Sequence, residues 1–316
     1  MTGRPPDAPR TLTSPTPVVR EPSVAGSFYP ASREWLASMV RELFAEARGS
    51  PDDSGRMSHV LPAGLLVPHA GLVYSGIVAA AGWSRLTDTN GWHPRPASPP
   101  TIVVLGTNHG ASWLHGVAAW DVGVWRTPLG DVQVDEELAG AIVNLGSPFL
   151  VDRDAHDGEH SIEVQLPLLQ MAAPDARIVP LAVSAGTGPA AIEAGRRLGE
   201  LLADRRAHGE AIILAISSDM AHYPPAAACE EVTEAMLPPI LAVDPADLAA
   251  REVALRGARI PGLVCGMCGI QPTVLGLAAL RALGAMSATQ VGTATSADAG
   301  GPPDRTVGYL AVRFDT

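Results

Sequence analysis

Six short and nearly uninterrupted apolar runs constrain the fold of this 316-residue chain more than any other feature. Each run is bounded by polar or turn-forming residues and is too short for a helix, so each is predicted to be a buried strand. The runs are LLV (65–67), TIVVLG (101–106), GVAAW (116–120), IVPLAV (178–183), AIILAIS (211–217) and GYLAVRF (308–314). Strands that are apolar on both faces are typical of a sheet covered on both sides by helices.

Helix-like segments separate these strands. The first begins at Ser32, a good N-cap, and carries apolar residues at helical spacing as far as Gly49. Further helices are predicted within 134–146, 189–207 and 273–284. The alternation predicts the α/β class, and more specifically a three-layer α/β/α sandwich around a mixed, largely parallel sheet.

The chain is predicted to form one domain that follows a short tail. Residues 1–20 are rich in Pro, Thr and Arg and have no hydrophobic period, so they are expected to be flexible. Residues 21–316 contain no internal repeat, and their Pro-rich stretches resemble surface loops rather than interdomain linkers. We therefore expect a single folded unit over 21–316.

Charge, termini and cysteine content exclude several classes of protein. The net charge of −11 argues against general nucleic-acid binding, which depends on clustered Lys and Arg. The N-terminus lacks an apolar signal-peptide core, and no run of about 18 apolar residues follows it. The three cysteines are too few for a disulfide framework, so reduced thiols are expected. These features predict a cytoplasmic protein that binds neither nucleic acid nor membranes.

Three of the predicted strands lead directly into a histidine. LLVPHAG ends in His69, VVLGTNHG ends in His109, and LAISSDMAHY ends in Asp219 and His222. Loops at strand ends converge in such folds, so these side chains are expected to lie close together. The residues after His69 are small and are expected to leave room for a ligand: Ala70, Gly71, Ser75 and Gly76.

Converging imidazoles favour a divalent transition metal, and a thiol is available as a further ligand. LVCGMCGIQP places Cys265 and Cys268 just before a predicted helix, whose N-terminal amides favour a thiolate. Two imidazoles and one thiolate would leave coordination positions open for substrate, water or dioxygen. The spacing of the two cysteines also leaves open a zinc site or a dithiol redox pair.

Seven segments occur in an order that resembles a known family. They are REPSVAGSFYP (20–30), PHAGLVYSG (68–76), GTNHG (106–110), WRTPLGDVQVD (125–135), EHSIEVQLPLLQ (159–170), SSDMAHY (217–223) and CGIQP (268–272). Together they resemble the Memo family, known in prokaryotes as AmmeMemoRadiSam system protein B. That family is similar in fold and pocket position to the class III extradiol dioxygenases, which are non-heme iron enzymes.

The resemblance implies a metal held by His69, His109 and Cys268. The implied metal is iron(II) or copper, with zinc less expected, because a thiolate stands where the dioxygenases use a carboxylate and shifts the preference towards softer ions. A metal-dependent oxidoreductase is therefore the leading expectation. Its substrate stays open, because the change of ligand means that ring cleavage does not follow from the resemblance.

The resemblance also places four other residues around the pocket. Phe28 and Tyr74 match aromatic positions at the pocket mouth, and Asp219 and His222 would flank the metal. We predict that Asp219 orients His222, which then delivers a proton to the bound substrate or oxygen species. A hydrolytic triad using Ser217 or Ser218 is disfavoured, because SSDMAHY lacks the glycines that flank a nucleophilic serine.

The segment HDGEHSIEVQLP carries a rival zinc-hydrolase pattern. His156, Glu159 and His160 match HxxEH, in which two histidines one helical turn apart bind zinc and the glutamate activates water. Asp157-Gly158 is turn-forming, so we predict instead that a helix starts nearer His160. His160 would then act as a general acid or base and Glu163 would contact substrate, unless both only form the first turn of that helix.

A non-catalytic role for the same pocket stays open. Aromatic and imidazole side chains can hold an aromatic ligand, either a small molecule or a peptide, without chemistry. Memo-like proteins have been described as peptide-binding adaptors, and the family name also associates them with a radical-SAM pathway partner. Dependence on a metal separates the enzyme from the binding module.

Overall fold

The computed structural model describes residues 18–48, 61–86 and 98–316. The strands are β1 (Val19–Arg20), β2 (Gly64–Val67), β3 (Thr101–Thr107), β4 (Val117–Ala119), β5 (Val124–Thr127), β6 (Gly130–Gln133), β7 (Phe149–Val151), β8 (Arg177–Val183), β9 (Ile212–Ser217), β10 (Ser287–Thr295) and β11 (Gly308–Asp315). The helices are α1 (Arg33–Arg48), α2 (Leu72–Trp83), α3 (Glu136–Val143), α4 (Leu166–Ala172), α5 (Pro189–Ala207), α6 (Ala226–Leu241), α7 (Pro245–Gly257) and α8 (Ile270–Ala282).

The main sheet has eight strands in the order β10-β11-β2-β9-β3-β8-β4-β7. Its four central strands, β2, β9, β3 and β8, run parallel to one another. The antiparallel pairs are β10 with β11, β11 with β2, and β4 with β8. All six strands predicted from the apolar runs belong to this sheet, which is mixed and parallel at its centre, as predicted.

Helices cover both faces of the sheet and complete the predicted α/β/α sandwich. One core joins the sheet to α3, α5, α6, α7 and α8 through residues such as Leu198, Met236 and Leu275. The opposite core joins it to α1, α2 and α4 through residues such as Val40 and Trp83. The strands are buried on both faces because each face meets a helical layer, which explains their continuous apolar sequence.

A second, three-stranded sheet in the order β1-β5-β6 begins within the predicted tail. Residues 1–17 lie outside the described part of the chain. Val19 and Arg20, however, pair in parallel with Val124 and Trp125, and the Arg20 side chain is buried. These two residues therefore belong to the folded unit, which starts before the predicted boundary at residue 21.

The predicted start of the first helix is confirmed at α1. The Ser32 hydroxyl accepts a hydrogen bond from the Trp35 backbone N–H at 3.3 Å, as an N-cap does.

Among residues 18–48, 61–86 and 98–316, no helix combines the length and the apolar character that a membrane span needs.

Candidate metal site

Three neighbouring strands of the main sheet deliver the predicted site residues to one edge. The strands β2, β9 and β3 are adjacent and parallel, so their carboxyl ends open on the same side. His69 follows β2, His109 follows β3, and Asp219 and His222 follow β9. All four line one cavity of about 320 Å³, together with Phe28, Ala70, Gly71, Tyr74, His160, Tyr223, Ser296, Gly301, Pro302, Val307 and Tyr309.

The His69 ring is buried at the base of this cavity. Its Nδ1 lies 2.9 Å from the Ser217 hydroxyl, and its Nε2 lies 3.2 Å from the Cys268 sulfur. Burial, followed by the neighbouring His160 and His109 rings, lowers the pKa of His69 well below its usual value. The imidazole is therefore neutral near pH 7, which is the form that binds metals.

The His109 ring is oriented by Glu159. Its Nδ1 lies 3.0 Å from Glu159 Oε1, and its backbone N–H donates to Oε2 at 2.7 Å. Burial opposes ionisation of Glu159, but the hydrogen bond and charge of His109 and the backbone N–H of Ser161 outweigh it and lower the pKa to about 2. In the neutral form of His109, an ionised carboxylate beside Nδ1 makes that nitrogen the donor and leaves the lone pair on Nε2.

The His160 ring completes a cluster of three imidazoles. It stacks on His109 with ring centroids 4.5 Å apart and meets His69 edge-on at 5.4 Å. It also contacts Phe28, with ring centroids 4.6 Å apart. Burial and the charge of His109 lower the pKa of His160 to about 4, so this ring is also neutral near pH 7.

The Cys268 sulfur reaches the site from the loop that precedes α8. This loop is held against the end of β9, because the Cys268 backbone N–H donates to Asp219 O at 3.2 Å and the Gly269 N–H donates to Ser218 Oγ at 2.9 Å. Burial and the nearby Asp219 raise the pKa of the Cys268 thiol well above its usual value. A thiolate at Cys268 therefore requires a cation beside the sulfur, and a bound metal ion would be such a cation.

Within the described part of the chain, two groups of side chains have ligand atoms within 4.8 Å of one another, and they share His69. One consists of His69, His109 and His160, and the other of His69, Asp219 and Cys268. His69 belongs to both groups, His109 to the first and Cys268 to the second, so the predicted set of three ligands is not itself one of these groups. His160, which the sequence indicated only as an acid–base group, is placed as closely as the predicted ligands.

The predicted partnership between Asp219 and His222 is wrong in its detail. Asp219 Oδ1 accepts the backbone N–H groups of His69 and Ala70 at 2.7 and 3.2 Å. His222 Nδ1 instead lies 2.7 Å from the Met220 carbonyl oxygen, which can only accept. Met220 O therefore fixes the tautomer of His222, and Asp219 holds the loop that carries His69.

Phe28 and Tyr74 are the two aromatic residues predicted at the pocket mouth. Phe28 is half-buried and Tyr74 is exposed, and both line the cavity. Tyr223 and Tyr309, for which no role was predicted, also line it. The backbone of Tyr223 has a φ of 73°, so a strained position adjoins the cavity. The Arg305 guanidinium lies over the Tyr223 ring, 4.2 Å from its centroid.

Glu163 does not reach the pocket, contrary to the predicted substrate contact. Its side chain is fully buried and pairs with the Arg20 guanidinium. Its oxygens also accept the Tyr29 hydroxyl at 2.5 Å and the backbone N–H groups of Ser23 and Val24 at 2.9 Å. The carboxylate is occupied by protein donors, so it has no part exposed to a ligand.

The zinc-hydrolase pattern is not assembled. Gly158 has a φ of 71°, so the chain turns between His156 and His160 instead of forming one helix. His156 Nε2 lies 3.0 Å from Ala118 O, and its ring packs edge-on against Trp120 and Trp125 in the core. Burial lowers the pKa of His156 to about 4, as expected for a neutral core histidine.

The serines of SSDMAHY are likewise not nucleophiles. Ser217 and Ser218 are fully buried. Their hydroxyls donate to the backbone carbonyls of Ser161 and Asp219, at 2.6 and 2.8 Å. A hydroxyl committed in this way cannot attack a substrate, so the triad interpretation is excluded.

Comparison with known proteins gives a consistent family match. Residues 20–313 match the model of a family described as Memo-like protein. A MEMO1 family protein of Methanopyrus kandleri is 34% identical over 300 residues, covering 93% of this chain and 98% of its own. MEMO1 family proteins of Pyrobaculum arsenaticum and Aquifex aeolicus are 35% and 32% identical, each covering 94% of this chain and 99% of its own.

A solved structure is similar at a lower level. It is the crystal structure of an uncharacterized protein from Escherichia coli K12, with 18% sequence identity and a TM-score of 0.46. The match covers 79% of this chain and 98% of that one.

Proposed function

The chain belongs to the Memo-like protein family, and on that premise we propose that its pocket binds a redox-active transition metal through His69, His109 and Cys268 and acts as an oxidoreductase. The orientation of the two imidazoles carries the proposal. Each has Nδ1 hydrogen-bonded to protein, which leaves Nε2 for a metal. The Cys268 sulfur lies 3.2 Å from His69 Nε2, a separation that two ligands of one ion can have when their bonds are about 2.0 to 2.3 Å long.

The donor set favours iron(II) or copper. Imidazole binds iron, copper and zinc, whereas a thiolate favours copper(I), zinc and redox-tolerant iron. Zinc fits the donors but supplies no redox chemistry. A bound iron or copper ion would supply one-electron chemistry and open positions for substrate or dioxygen.

His222 is the proposed proton donor and acceptor. It lines the cavity, and its Nδ1–H donates to Met220 O at 2.7 Å. The ring nitrogen left free by this bond is Nε2, which can take a proton from a ligand and return it. We expect His222→Ala to leave metal content nearly unchanged while slowing any reaction in the pocket.

The substrate class that fits best is a small molecule or peptide side chain with an aromatic ring. The cavity of about 320 Å³ is at the small end of ligand sites. Phe28, Tyr74, Tyr223 and Tyr309 provide aromatic walls on which a flat ring can stack. Catecholic compounds are therefore the first probes to test.

Metal loading under anaerobic conditions tests the proposal. Protein loaded with cobalt(II) is expected to show a sulfur-to-metal charge-transfer absorption, and Cys268→Ser should remove it. Cys265→Ser is the matched control, because Cys265 is a half-buried thiol in the same loop that belongs to neither ligand group among the described residues. Absence of this absorption in the loaded wild type would contradict the thiolate ligand.

Oxygen uptake tests the oxidoreductase part. Iron(II)-loaded or copper(I)-loaded protein should consume dioxygen, with or without a catecholic probe, and His222→Ala should do so more slowly. If loaded wild-type protein consumes none, the oxidoreductase function is wrong.

A binding module using the same pocket is the second candidate. It is favoured by the exposed Tyr74 and half-buried Phe28, which give an aromatic ligand access without any metal. The two functions differ in one measurement. Binding of an aromatic ligand to the His69→Ala, His109→Ala double variant would be kept by a binding module and lost or altered in the metal-dependent enzyme.

A further inference from the structure

We propose that Ser217 and Gln165 are positioning residues that fix the tautomer of His69, with its proton on Nδ1 and its lone pair on Nε2 facing the pocket. This inference rests on the proposed metal site and names residues outside it. Neither residue lines the cavity. Ser217 is the last residue of β9, Gln165 precedes α4, and both are fully buried.

The hydrogen bonds of Ser217 decide which way the His69 contact runs. A serine hydroxyl has one proton to donate and two lone pairs with which to accept. Ser217 Oγ lies 2.6 Å from Ser161 O, and a carbonyl can only accept, so the hydroxyl proton points there. His69 Nδ1 lies 2.9 Å from the same oxygen, so Nδ1 must carry the proton and donate.

Gln165 prevents the Ser217 hydroxyl from turning. Its Nε2 donates to Ser217 Oγ at 2.9 Å and to Pro68 O at 2.8 Å. Its Oε1 accepts the Trp83 indole N–H at 2.9 Å, and an indole can only donate. A flipped amide would face Pro68 O with an oxygen and Trp83 with an N–H, so the orientation of Gln165 is determined at both ends.

The consequence lies at the other nitrogen of His69. A proton on Nε2 would point at the Cys268 sulfur, 3.2 Å away, and would occupy the lone pair that a metal needs. Because the Ser217 oxygen accepts from both Gln165 and His69, it holds that proton on the far side of the ring. The site is thereby prepared for a metal before any metal arrives.

The test observes the tautomer directly, in protein without metal. Long-range ¹H–¹⁵N spectra of histidine-labelled protein distinguish a protonated ring nitrogen from a bare one, and a His69→Gln variant assigns the signal. Wild type is expected to show His69 protonated on Nδ1. Ser217→Ala removes the acceptor, so the Nε2-protonated form should appear, and metal affinity should fall by about 10- to 100-fold.

Ser161→Ala is the matched control. Ser161 is equally buried, and its hydroxyl also donates to a backbone carbonyl, Thr107 O at 2.8 Å. The variant keeps the Ser161 carbonyl that Ser217 needs, so the His69 signal should be unchanged. A change as large as that in Ser217→Ala would attribute the effect to packing and would overturn the proposal.

A second pair of variants keeps the proposal testable if Ser217→Ala does not fold. Gln165→Met releases the Ser217 hydroxyl and should admit a fraction of the Nε2-protonated form. Gln170→Met is its control, because the Gln170 amide bonds Thr127 and Gly130 and is remote from His69. An unchanged His69 signal in Gln165→Met would remove Gln165 from the proposal.

These outcomes separate this inference from the proposed metal site. If Ser217→Ala keeps the wild-type tautomer, the inference is wrong whatever metal the protein binds. If the tautomer changes while wild-type protein takes up no iron, copper or cobalt, the metal site fails and the assignment of Ser217 stands.

Discussion

Two buried polar clusters come from the same short segment, residues 159–165, and they are built in opposite ways. Glu163 accepts hydrogen bonds from the Arg20 guanidinium, the Tyr29 hydroxyl and two backbone N–H groups. Glu159 accepts the ring and backbone N–H groups of His109 and the backbone N–H of Ser161. We call them the Glu163 cluster and the Glu159 cluster.

The Glu163 cluster is closed, because its hydrogen bonds join protein groups only. The Glu159 cluster is open, because it ends at a side chain that lines a cavity. Each of these partners of Glu163 is a hydrogen-bond donor of the protein itself, as a buried charge requires. Glu159 instead bonds Nδ1 of the His109 imidazole, a ring that lines a cavity. Burial and charge alone therefore do not mark a functional residue. A lone pair that the protein leaves unused beside a cavity does.

The closed cluster supports the open one. Arg20 Nη2 donates to the carbonyl oxygens of His156 and Glu159, at 3.1 and 2.7 Å. The guanidinium therefore fixes the backbone that carries Glu159 and His160. A change in the closed cluster should act on stability first and reach the pocket only through unfolding or displacement of this segment.

The largest effect is expected from Glu163→Leu. It leaves the Arg20 guanidinium buried without its carboxylate, and breaking a buried pair in this way costs about 3 to 5 kcal/mol of unfolding free energy. Urea unfolding measures the loss. At temperatures where the variant is folded, its metal affinity should match that of wild type.

Arg196→Ala is the control for this prediction. Arg196 forms ion pairs with Glu193 and Glu200 on the exposed face of α5, where solvent screens them. Its unfolding midpoint should not shift measurably. If Glu163→Leu lost metal before it lost stability, Glu163 would belong to the pocket and the comparison would fail.

Much of the fold could be predicted from the sequence, because its strands are buried on both faces and so are apolar throughout. The site followed from them, since His69, His109 and Asp219 stand directly after strands that the sheet places side by side. The helix α2 was missed for the same physical reason. Nine of its twelve residues are buried and the exposed ones, Val73, Tyr74 and Ile77, are not polar either, so no polar face reveals a helical period.

The small residues after His69 also serve helix packing rather than ligand space alone. A Cβ added at Gly76 would lie 2.7 Å from the Leu43 side chain, so this glycine lets α2 approach α1. The helix α6 was hidden by Pro238 and Pro239 inside it. Pro239 cannot donate to Ala235 O, and Arg251 Nη1 from α7 donates there instead at 3.0 Å, a contact that no local pattern shows.

The different roles of Glu159 and Glu163 within residues 159–165 could not be predicted from the sequence either. Glu159 and Glu163 are four residues apart in a polar segment, and their helical turn would place them on one face. In the structure the two carboxylates have different partners, because the chain turns at Gly158 and forms a 3₁₀ turn at Glu163–Gln165 before α4 begins. Only the tertiary partners decide which carboxylate is structural.

The Glu159 cluster is predicted to make the stability of the protein sensitive to acid. The pKa of Glu159 is about 2 in the folded protein, below its usual value near 4.5, so its ionised form favours the folded state. This contribution, about 3 kcal/mol, is fully present above pH 4.5 and is lost as the pH falls towards 2. Glu159→Gln should therefore be less stable than wild type at pH 6 and should lose less on acidification.

Urea unfolding at pH 6 and at pH 3 measures both proteins. The stability difference between them should shrink at the lower pH. A difference that stayed constant with pH would mean that the Glu159 carboxylate contributes through packing and not through its charge.

A smaller effect is expected from His160→Asn. His160 is not in the proposed ligand set, but its ring stacks on His109 with centroids 4.5 Å apart and holds that ligand in place. Loss of such support should lower metal affinity by about tenfold. Competition with a chromophoric chelator measures this affinity, and His222→Asn, on the β9 side of the cavity, should leave it unchanged. A loss as complete as that of His69→Ala would assign the metal to His69, His109 and His160.

The smallest effect is expected from His156→Leu, which tests whether the boundary between the two clusters lies where the structure places it. His156 stands only four residues before His160, and its HxxEH pattern would make it a zinc ligand. Its Nε2–H instead donates to Ala118 O at 3.0 Å, and its ring packs edge-on against Trp125 in the core. The ring is therefore not among the groups that line the cavity. Loss of that one buried hydrogen bond should cost about 1 kcal/mol, partly offset by the apolar replacement, while metal affinity stays that of wild type. The same chelator competition decides the matter, because a tenfold loss of affinity would place His156 in the open cluster after all.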